Sequence, residues 1–504
     1  MVERRTPALA CRNVDPKTQR SLAYKRLVAY LKRDVLAYSP YYRQLFHEHR
    51  LAAATLASYD AFAASVPFTH KSDLQDRSVD FVLQPRWLDG SGDERTETIS
   101  AAYVEIYEVR ARIQAAEAGD VEPPTTHEER IRREFLRDWQ PVLATRTGGS
   151  TGISVESSYT YSDLMGPFRR CALFHHNIVT WTPTQRFMSI VPAGEHLGFY
   201  GNLLVPILNG QPLRPTYGGK VMSTEDQVGL ARRARIQALH GTTSYVASWL
   251  DTAGKMRDDG RIDGLPDLQV ILVLGEALSE GYRHSIKGSL ARLGAPDCEL
   301  AQGMSSTELK SGGFRECSEG TGLHVDPQHF FIEIIDPDTK LPVAPGTPGV
   351  LVWSHVDWHG TAILRYWSGD VVQGGATFDA CPNCKLVVPR LHPPLRRLES
   401  DYLKIRGTRI DLADLRTVLE KVTGRDAFQF EISLDAAGVG RHRLLAYVRE
   451  DVGATDERVR QAVMTAFELR IDKVVRCTKD EMNRKLYGDG GWKPRWLIHD
   501  SIQA

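Results

Sequence analysis

Two groups of residues in this chain have the types and spacing that chemistry needs. The first is Thr145–Gly152, read T-R-T-G-G-S-T-G, where three glycines and four hydroxyl side chains fall within eight residues. Glycine allows positive φ and close backbone approach. Successive exposed N–H groups in such a turn form an anion-binding concavity, to which Ser and Thr add donors. A phosphate cradle and a plain polar hairpin turn both fit these eight residues. The G-x-x-x-x-G-K-[ST] loop is excluded, because no Lys-Ser or Lys-Thr pair closes the stretch. The second group is Cys317, His324, Cys381 and Cys384, with Cys381 and Cys384 in a tight C-x-x-C loop. Cys₃His is a closed structural zinc set. Unpaired structural thiols are the bland alternative, and a redox pair would want a helix N-terminus that this loop lacks.

Elements that could position such groups follow from the pattern of the chain. At 504 residues, with 42% apolar residues, it is long enough for two or more domains and a large core. Lys+Arg equals Asp+Glu at 63 each, which gives no basic field for nucleic acid and no acidic tail. The first residues, MVERRTPALACRNVDPKTQR, lack the apolar region of a secretory signal, and no apolar run reaches membrane-span length. Seven scattered cysteines argue against a disulfide framework and for a cytoplasmic setting. Cys11, Cys171, Cys298 and Cys477 read as buried small apolar residues.

Residues 18–50 read as helical until Ser39-Pro40, and 66–74 as a loop entering a helix that Ser72 caps. Helices are expected at Ala101–Ala118 and His127–Trp139, within a charged stretch that reads equally as a solvated excursion or a lid. The glycine loop precedes a helix at 162–178 and a strand at 186–191. Apolar strands and helices then alternate to about residue 301, as in an α/β core whose parallel strands are covered by helices. Ligands in such sheets sit at the carboxyl ends of strands. That places Gly275-Glu276 after the strand 270–274, and Gly303-Met304 after the strand 298–301. Strands are expected at 330–336, 349–354 and 362–366. The tail beyond about residue 400 reads β-α-β-β-α-β, ending in a strand at 472–477, a self-sufficient small α+β domain.

Five stretches in order carry a resemblance: TRTGGSTG, LVLGEALSE (272–280), AQGMSSTE (301–308), ILRYWSGD (363–370) and YLKIRGTRI (402–410). Together they resemble the adenylate-forming superfamily of acyl-CoA synthetases and adenylation domains. The segment from Glu316-Cys317 through Gly322-Leu323-His324-Val325 to 331–339 is most similar to its phenylacetate–CoA ligase branch. The resemblance spans nearly the whole chain and is weakest over 85–140. It implies a large multi-sheet α/β N-terminal domain (1–400) and a small, mobile α+β C-terminal domain (401–504) that turns about a hinge at Ser400-Asp401.

It also implies chemistry in two halves. A carboxylate attacks the α-phosphate of ATP, giving an acyl adenylate and pyrophosphate, and a thiol then takes the acyl group. Thr147, Gly148, Gly149, Ser150, Thr151 and Gly152 match the family's phosphate loop, and Glu308 its Mg²⁺-binding glutamate. Gly275, Glu276, Gln302, Gly303 and Met304 match adenine-lining segments, with Thr307 and Lys404 as further nucleotide contacts. Asp370 matches the ribose-holding aspartate and Arg397 the ribose arginine, with Arg396 one register away. Lys493 matches the catalytic C-terminal lysine, with Lys485 its competitor. His196, Phe199, Tyr200, Ser244 and Tyr245 are candidates for an aryl-acid pocket, ordinary core packing being the alternative.

Three departures stand out. Ile153 replaces a common lysine, Gln302 stands where an aromatic stacks on adenine, and the Gly-x-x-Glu spacing is stretched in 303–308. The leading expectation is an ATP-dependent ligase forming an aryl-AMP and then a CoA thioester, with ATP, Mg²⁺ and a structural Zn²⁺. The alternatives are an ATP-dependent diazotase, activating nitrite for attack by an aryl amine, and acyl transfer to a carrier protein. Expected partners are small molecules, with a homodimer and a carrier protein as further candidates, and neither nucleic acid nor membrane.

Overall fold

The computed structural model describes residues 14–118, 126–147, 154–178, 184–276, 278–310, 313–398, 402–405, 408–434, 442–488 and 494–499. Among them the largest sheet has nine strands. Five are parallel neighbours in the order Leu213–Pro215, Phe187–Ser189, Ala238–Thr242, Val270–Leu274 and Glu299–Met304. Short antiparallel strands, Phe314–Arg315, Leu323–His324, Arg390–Leu391 and Ala376–Thr377, extend it beyond Glu299–Met304. Helices Thr224–Arg233, Thr243–Asp258 and Glu280–Arg292 cover one face, burying Met188, Ile190, Leu239, Ile271 and Val273. The opposite face, with Phe187, Ala238, Val270, Leu272 and Ala301, lies toward the helix Leu197–Leu208.

A second, antiparallel sheet runs Phe330–Ile335, Gly349–His355, Tyr366–Val372 and Leu395–Arg397. The C-terminal unit has its own sheet, ordered Lys473–Cys477, His442–Arg449, Phe428–Leu434 and Leu497–His499, and its own core around Leu415, Phe430, Leu444 and Val459. The architecture is therefore a large multi-sheet α/β unit followed by a small α+β unit. Arg425 reaches Asp251 of the large unit at 2.8 Å, Tyr282 Oη donates to Asp426 at 3.2 Å, and Arg396 pairs with Asp414 at 2.9 Å.

Several expectations need correction. Helix 71–77 is capped at His70, whose N–H donates to Asp73 at 2.7 Å, so Ser72 lies inside the helix. The expected strand at 362–366 is irregular chain that bends at 364–365, with Arg365 at φ +46°, packed against 69 and 354–355, and the strand is Tyr366–Val372. Gly303 and Met304 lie within the strand Glu299–Met304 rather than after it. The first helix breaks before Pro40 as expected, and its continuation Leu31–Val35 is π-helical. A helix at Lys479–Tyr487 and a strand at Leu497–His499 follow the strand expected to be last.

The helices Ala101–Ala118 and His127–Trp139 form where the sequence indicates. The second is capped reciprocally by Thr126 and Glu129. They are docked on the large unit. Trp139 stacks on His359 at 4.2 Å between ring centroids, and Tyr103 Oη donates to Asp34 at 2.7 Å.

A buried ion pair joins the turn after Thr307–Leu309 to the short helix Tyr161–Asp163. Lys310 is fully buried, and its Nζ donates to Asp163 Oδ2 and to the Thr361 carbonyl, both at 3.0 Å. The same ammonium lies over the rings of Tyr159 and Trp358 at 4.8 Å. Asp163 in turn accepts the backbone N–H groups of His359 and Gly360 at 2.7 and 2.8 Å. Burial pushes the Lys310 ammonium below its ordinary pKa, and Asp163 opposes the shift. Removing one partner leaves a buried charge uncompensated. Lys310→Met should therefore cost about 3–5 kcal/mol of unfolding free energy in a urea titration. A second change, Asp163→Leu, should recover little of it, because the carboxylate also holds backbone donors. Full recovery would show that charge compensation is its whole contribution.

Candidate active site

The strands Pro141–Arg146 and Glu156–Thr160 pair antiparallel on either side of the glycine stretch in the sequence. Thr147 closes that loop: its N–H donates to the Val155 carbonyl at 3.0 Å, and its Oγ1 accepts from Val155 N–H at 2.9 Å. Gly148, Gly149, Ser150, Thr151 and Gly152 lie outside the described residues, as do Lys493 and the Lys404 side chain.

Glu308 sits in the 3₁₀ turn Thr307–Leu309, where Ser306 Oγ accepts from Leu309 N–H at 3.3 Å. Thr307 and Glu308 are both buried. The turn ends on Lys310, a non-glycine residue at φ +58°, whose buried side chain anchors it as described above. Left-handed backbone costs an L-residue about 1 kcal/mol, which the anchor offsets. Tyr366 Oη donates to Glu308 Oε1 at 3.2 Å. Burial, reinforced by the Glu308 carboxylate, holds the Tyr366 phenol well above its usual pKa. Arg397 and Asp370 are close enough to act on the same phenol.

Asp370 lies on the Tyr366 strand and faces Arg397 in the neighbouring strand. Arg397 Nε stands 3.1 Å from Asp370 Oδ1, and Arg397 Nη1 donates to the Ser368 carbonyl at 2.6 Å. Arg396 turns to Asp414 of the C-terminal unit instead. Glu308, Tyr366, Asp370 and Arg397 thus form one polar patch.

Gly275 leaves its strand at φ +80°. The Glu276 carboxylate accepts Ser244 N–H at 2.8 Å, and its carbonyl accepts the Thr243 hydroxyl at 3.1 Å, so this residue ties down the start of the helix Thr243–Asp258. Gln302 accepts Glu316 N–H through its carbonyl at 3.0 Å. Gly303 is sterically constrained, since a Cβ there would stand 2.2 Å from Leu274 Cδ2 and 3.2 Å from the Phe314 carbonyl oxygen.

Of the acid-pocket candidates, His196 is the N-cap of the helix Leu197–Leu208, its Nδ1 accepting Phe199 N–H at 3.1 Å. Phe199 packs against Tyr200 at 5.3 Å and against Tyr217 at 6.2 Å between centroids. Tyr245 is directed elsewhere, toward Gln227 and Thr224 at 3.0 and 3.3 Å. Ser244 is buried. Tyr366 and Tyr217 escaped the sequence reading. Tyr366 stood within the 363–370 stretch, but nothing marked it as the partner of Glu308.

The four metal-ligand candidates come together, with ligand atoms all within 4.8 Å of one another. Cys317 Sγ is 3.5 Å from Cys381 Sγ, and Cys384 Sγ is 3.3 Å from His324 Nε2. His324 Nδ1 lies 3.0 Å from the Gly322 carbonyl, which can only accept. The ring proton therefore sits on Nδ1 and the Nε2 lone pair faces the sulfurs, the orientation a bound metal requires. Tetrahedral Zn–S bonds of about 2.3 Å put ligand atoms about 3.5–3.8 Å apart, so the set fits zinc.

No family profile matches the chain. It is 26% identical over 400 residues to the phenylacetate–coenzyme A ligase of Thermus thermophilus, covering 78% of this chain and 73% of that one. It is 24% identical over 389 residues to the same-named enzyme of Aromatoleum evansii, covering 75% and 68%. Its fold matches a 2-hydroxyisobutyryl-CoA ligase solved in the postadenylation state, with a TM-score of 0.70 at 18% identity, over 96% of this chain and 90% of that chain. By sequence the chain is similar to phenylacetate–CoA ligases, and its fold is that of an AMP-forming CoA ligase. No helix among the described residues is long and apolar enough to cross a membrane.

Gly303→Ala should lower stability by about 1–3 kcal/mol through overpacking, measurable as a shift of the urea midpoint at constant slope. An unchanged midpoint would mean that Leu274 moves aside at no cost.

Proposed function

We propose that this protein is an ATP-dependent, AMP-forming ligase that activates an aryl carboxylic acid and transfers the acyl group to coenzyme A. The observation that carries the reading is the patch of Glu308, Tyr366, Asp370 and Arg397, built on two paired strands and one capped turn. Nucleotidyl transfer needs a hard anionic ligand for Mg²⁺ and fixed groups for the ribose. Glu308 supplies the first, oriented by the Tyr366 hydroxyl. Asp370 supplies the second, with its carboxylate held by Arg397. Bound Mg²⁺ would neutralise charge on the phosphate oxygens.

The loop 147–152 is assigned to the phosphates, and Gly275, Gln302, Gly303, Met304 and Thr307 to the nucleotide, on the family pattern. Lys404 is assigned there too. Glu276 contributes by fixing the helix beside them. Lys493 is taken as the catalytic lysine on the family pattern, with support from the placement of Lys485, whose Nζ lies 3.6 Å from the centroid of Tyr447 within the C-terminal unit. The division falls at residue 400/401. The relatives' names support a thioester product, and nothing in them supports nitrite activation. Phe199, Tyr200 and Tyr217 supply the aromatic wall that an aryl acid suits. Cys317, His324, Cys381 and Cys384 are assigned a structural zinc, and the cytoplasm is the compartment in which such thiols stay reduced.

Pyrophosphate release should depend on one acid and rise with CoA, giving a thioester by mass. Release that required nitrite and an aryl amine would overturn this. Glu308→Ala and Lys493→Ala should each slow release at least about 100-fold, and full activity in the Lys493 variant would move the role to Lys485. Elemental analysis of the purified protein should find about one zinc per chain, lost in Cys384→Ser. A zinc-free, folded protein would leave the four residues as plain thiols and imidazole.

A further inference from the structure

One side chain on the inner face of the large sheet is out of place for a core. His240 lies mid-strand, in register between Ser189 and Leu272, and is 3% exposed. Its Nδ1 meets Asn202 Oδ1 on the helix Leu197–Leu208. The orientation of that amide is fixed, because Asn202 Nδ2 donates to the Gly198 carbonyl at 2.5 Å. Asn202 Oδ1 can only accept, so the imidazole hydrogen must sit on Nδ1. Burial and the Arg315 charge hold the imidazolium well below its ordinary pKa, so the ring is neutral. The Nε2 atom therefore carries a buried lone pair, and no residue among those described donates to it.

Such an acceptor is expensive to leave bare, and it is not alone. Thr242 Oγ1 and Ser244 Oγ, at the carboxyl end of the same strand, are also buried without a partner among the described residues. Thr242 projects from the same face as His240, two residues nearer the strand end. That end is where parallel α/β sheets take their ligands. Asn202 and Phe199, three residues apart on the facing helix, lie on neighbouring positions of one helix face, which links His240 through Asn202 to the aromatic group assigned to the acid. At about 3.3 Å per residue, His240 lies about 7 Å below Thr242, at the depth a ring substituent would reach.

We propose that His240 Nε2 is the specificity-determining acceptor of the acid pocket, and that the acid is an aryl acid bearing a hydroxyl or amino donor remote from its carboxylate. This rests on the ligase reading. Asn202 acts as a positioning residue, since it sets the tautomer that makes Nε2 an acceptor.

The test is pyrophosphate release with benzoic and phenylacetic acids carrying hydroxyl or amino groups at each ring position. Each is compared with the unsubstituted acid and with its O-methyl or N,N-dimethyl counterpart. Sites built to bond a substrate O–H or N–H discriminate strongly against analogues that lack it. At least one donor-bearing acid should exceed both counterparts by at least about 100-fold in kcat/KM, and the better arm identifies hydroxyl or amine. In His240→Phe that ratio should collapse to within about threefold. Release with no preference in the wild type, or an unchanged ratio in His240→Phe, would overturn the proposal and leave the ligase reading intact. No release with any acid would remove both. The wild-type ratio decides alone if His240→Phe does not fold.

Discussion

The Lys310–Asp163 pair is the contact on which the rest of the site depends. Taking two charges out of water is costly, and their attraction repays the cost only when the remaining donors and acceptors are satisfied. Here they are, by the Thr361 carbonyl and by the His359 and Gly360 N–H groups. Three chain segments remote in sequence are brought to one point: the turn after Glu308, the helix start after the glycine-loop hairpin, and the loop 357–361. Gly360 shows how tight the junction is, since a Cβ there would stand 2.1 Å from the Ser158 carbonyl oxygen. The carboxylate of Glu308 and the closing residue of the glycine loop are thereby carried by one rigid junction.

Much of the fold was legible because local signals agreed with tertiary packing. The helices Ala101–Ala118 and His127–Trp139 matched the sequence reading, the second marked by a Thr-x-x-Glu cap. The parallel strands announced themselves as short apolar runs, which is what burial on both faces demands. Where the reading slipped, a competing local preference was responsible. Ser72 looks like a cap, but the Asp73 carboxylate captures His70 N–H and starts the helix earlier. Ala362–Tyr366 looks apolar enough for a strand, yet the chain bends at Leu364-Arg365, with Arg365 at φ +46°, and Ala362 N–H bonds to the distant Phe81 carbonyl. The helix Lys479–Tyr487 is polar, with only Met482 and Leu486 buried, so it offered little apolar rhythm to read.

The candidate site was legible in composition and less so in geometry. Asp370 and Arg397 could be named from motifs, but only strand pairing decides between Arg397 and Arg396. Tyr366 could not have been found from spacing, because its relation to Glu308 crosses two sheets. His240 drew no reading from the sequence, since it sits within a short apolar run. Its meaning depends on the orientation of an amide on another helix, which no sequence pattern encodes.

The seam between the two units has a consequence for how firmly they are held. Its contacts are mainly ionic and hydrogen-bonded, through Arg425, Asp426, Tyr282, Asp251, Arg396 and Asp414, with Arg425 also over the Tyr282 ring at 4.8 Å, and among the described residues no apolar cluster spans it. Partly exposed ion pairs of this kind are worth about 0–1 kcal/mol each and weaken with salt. Water can replace such contacts as they part, whereas an apolar seam would resist separation in proportion to its area. The small unit is thus latched rather than welded: salt and water can loosen the seam while both cores stay folded.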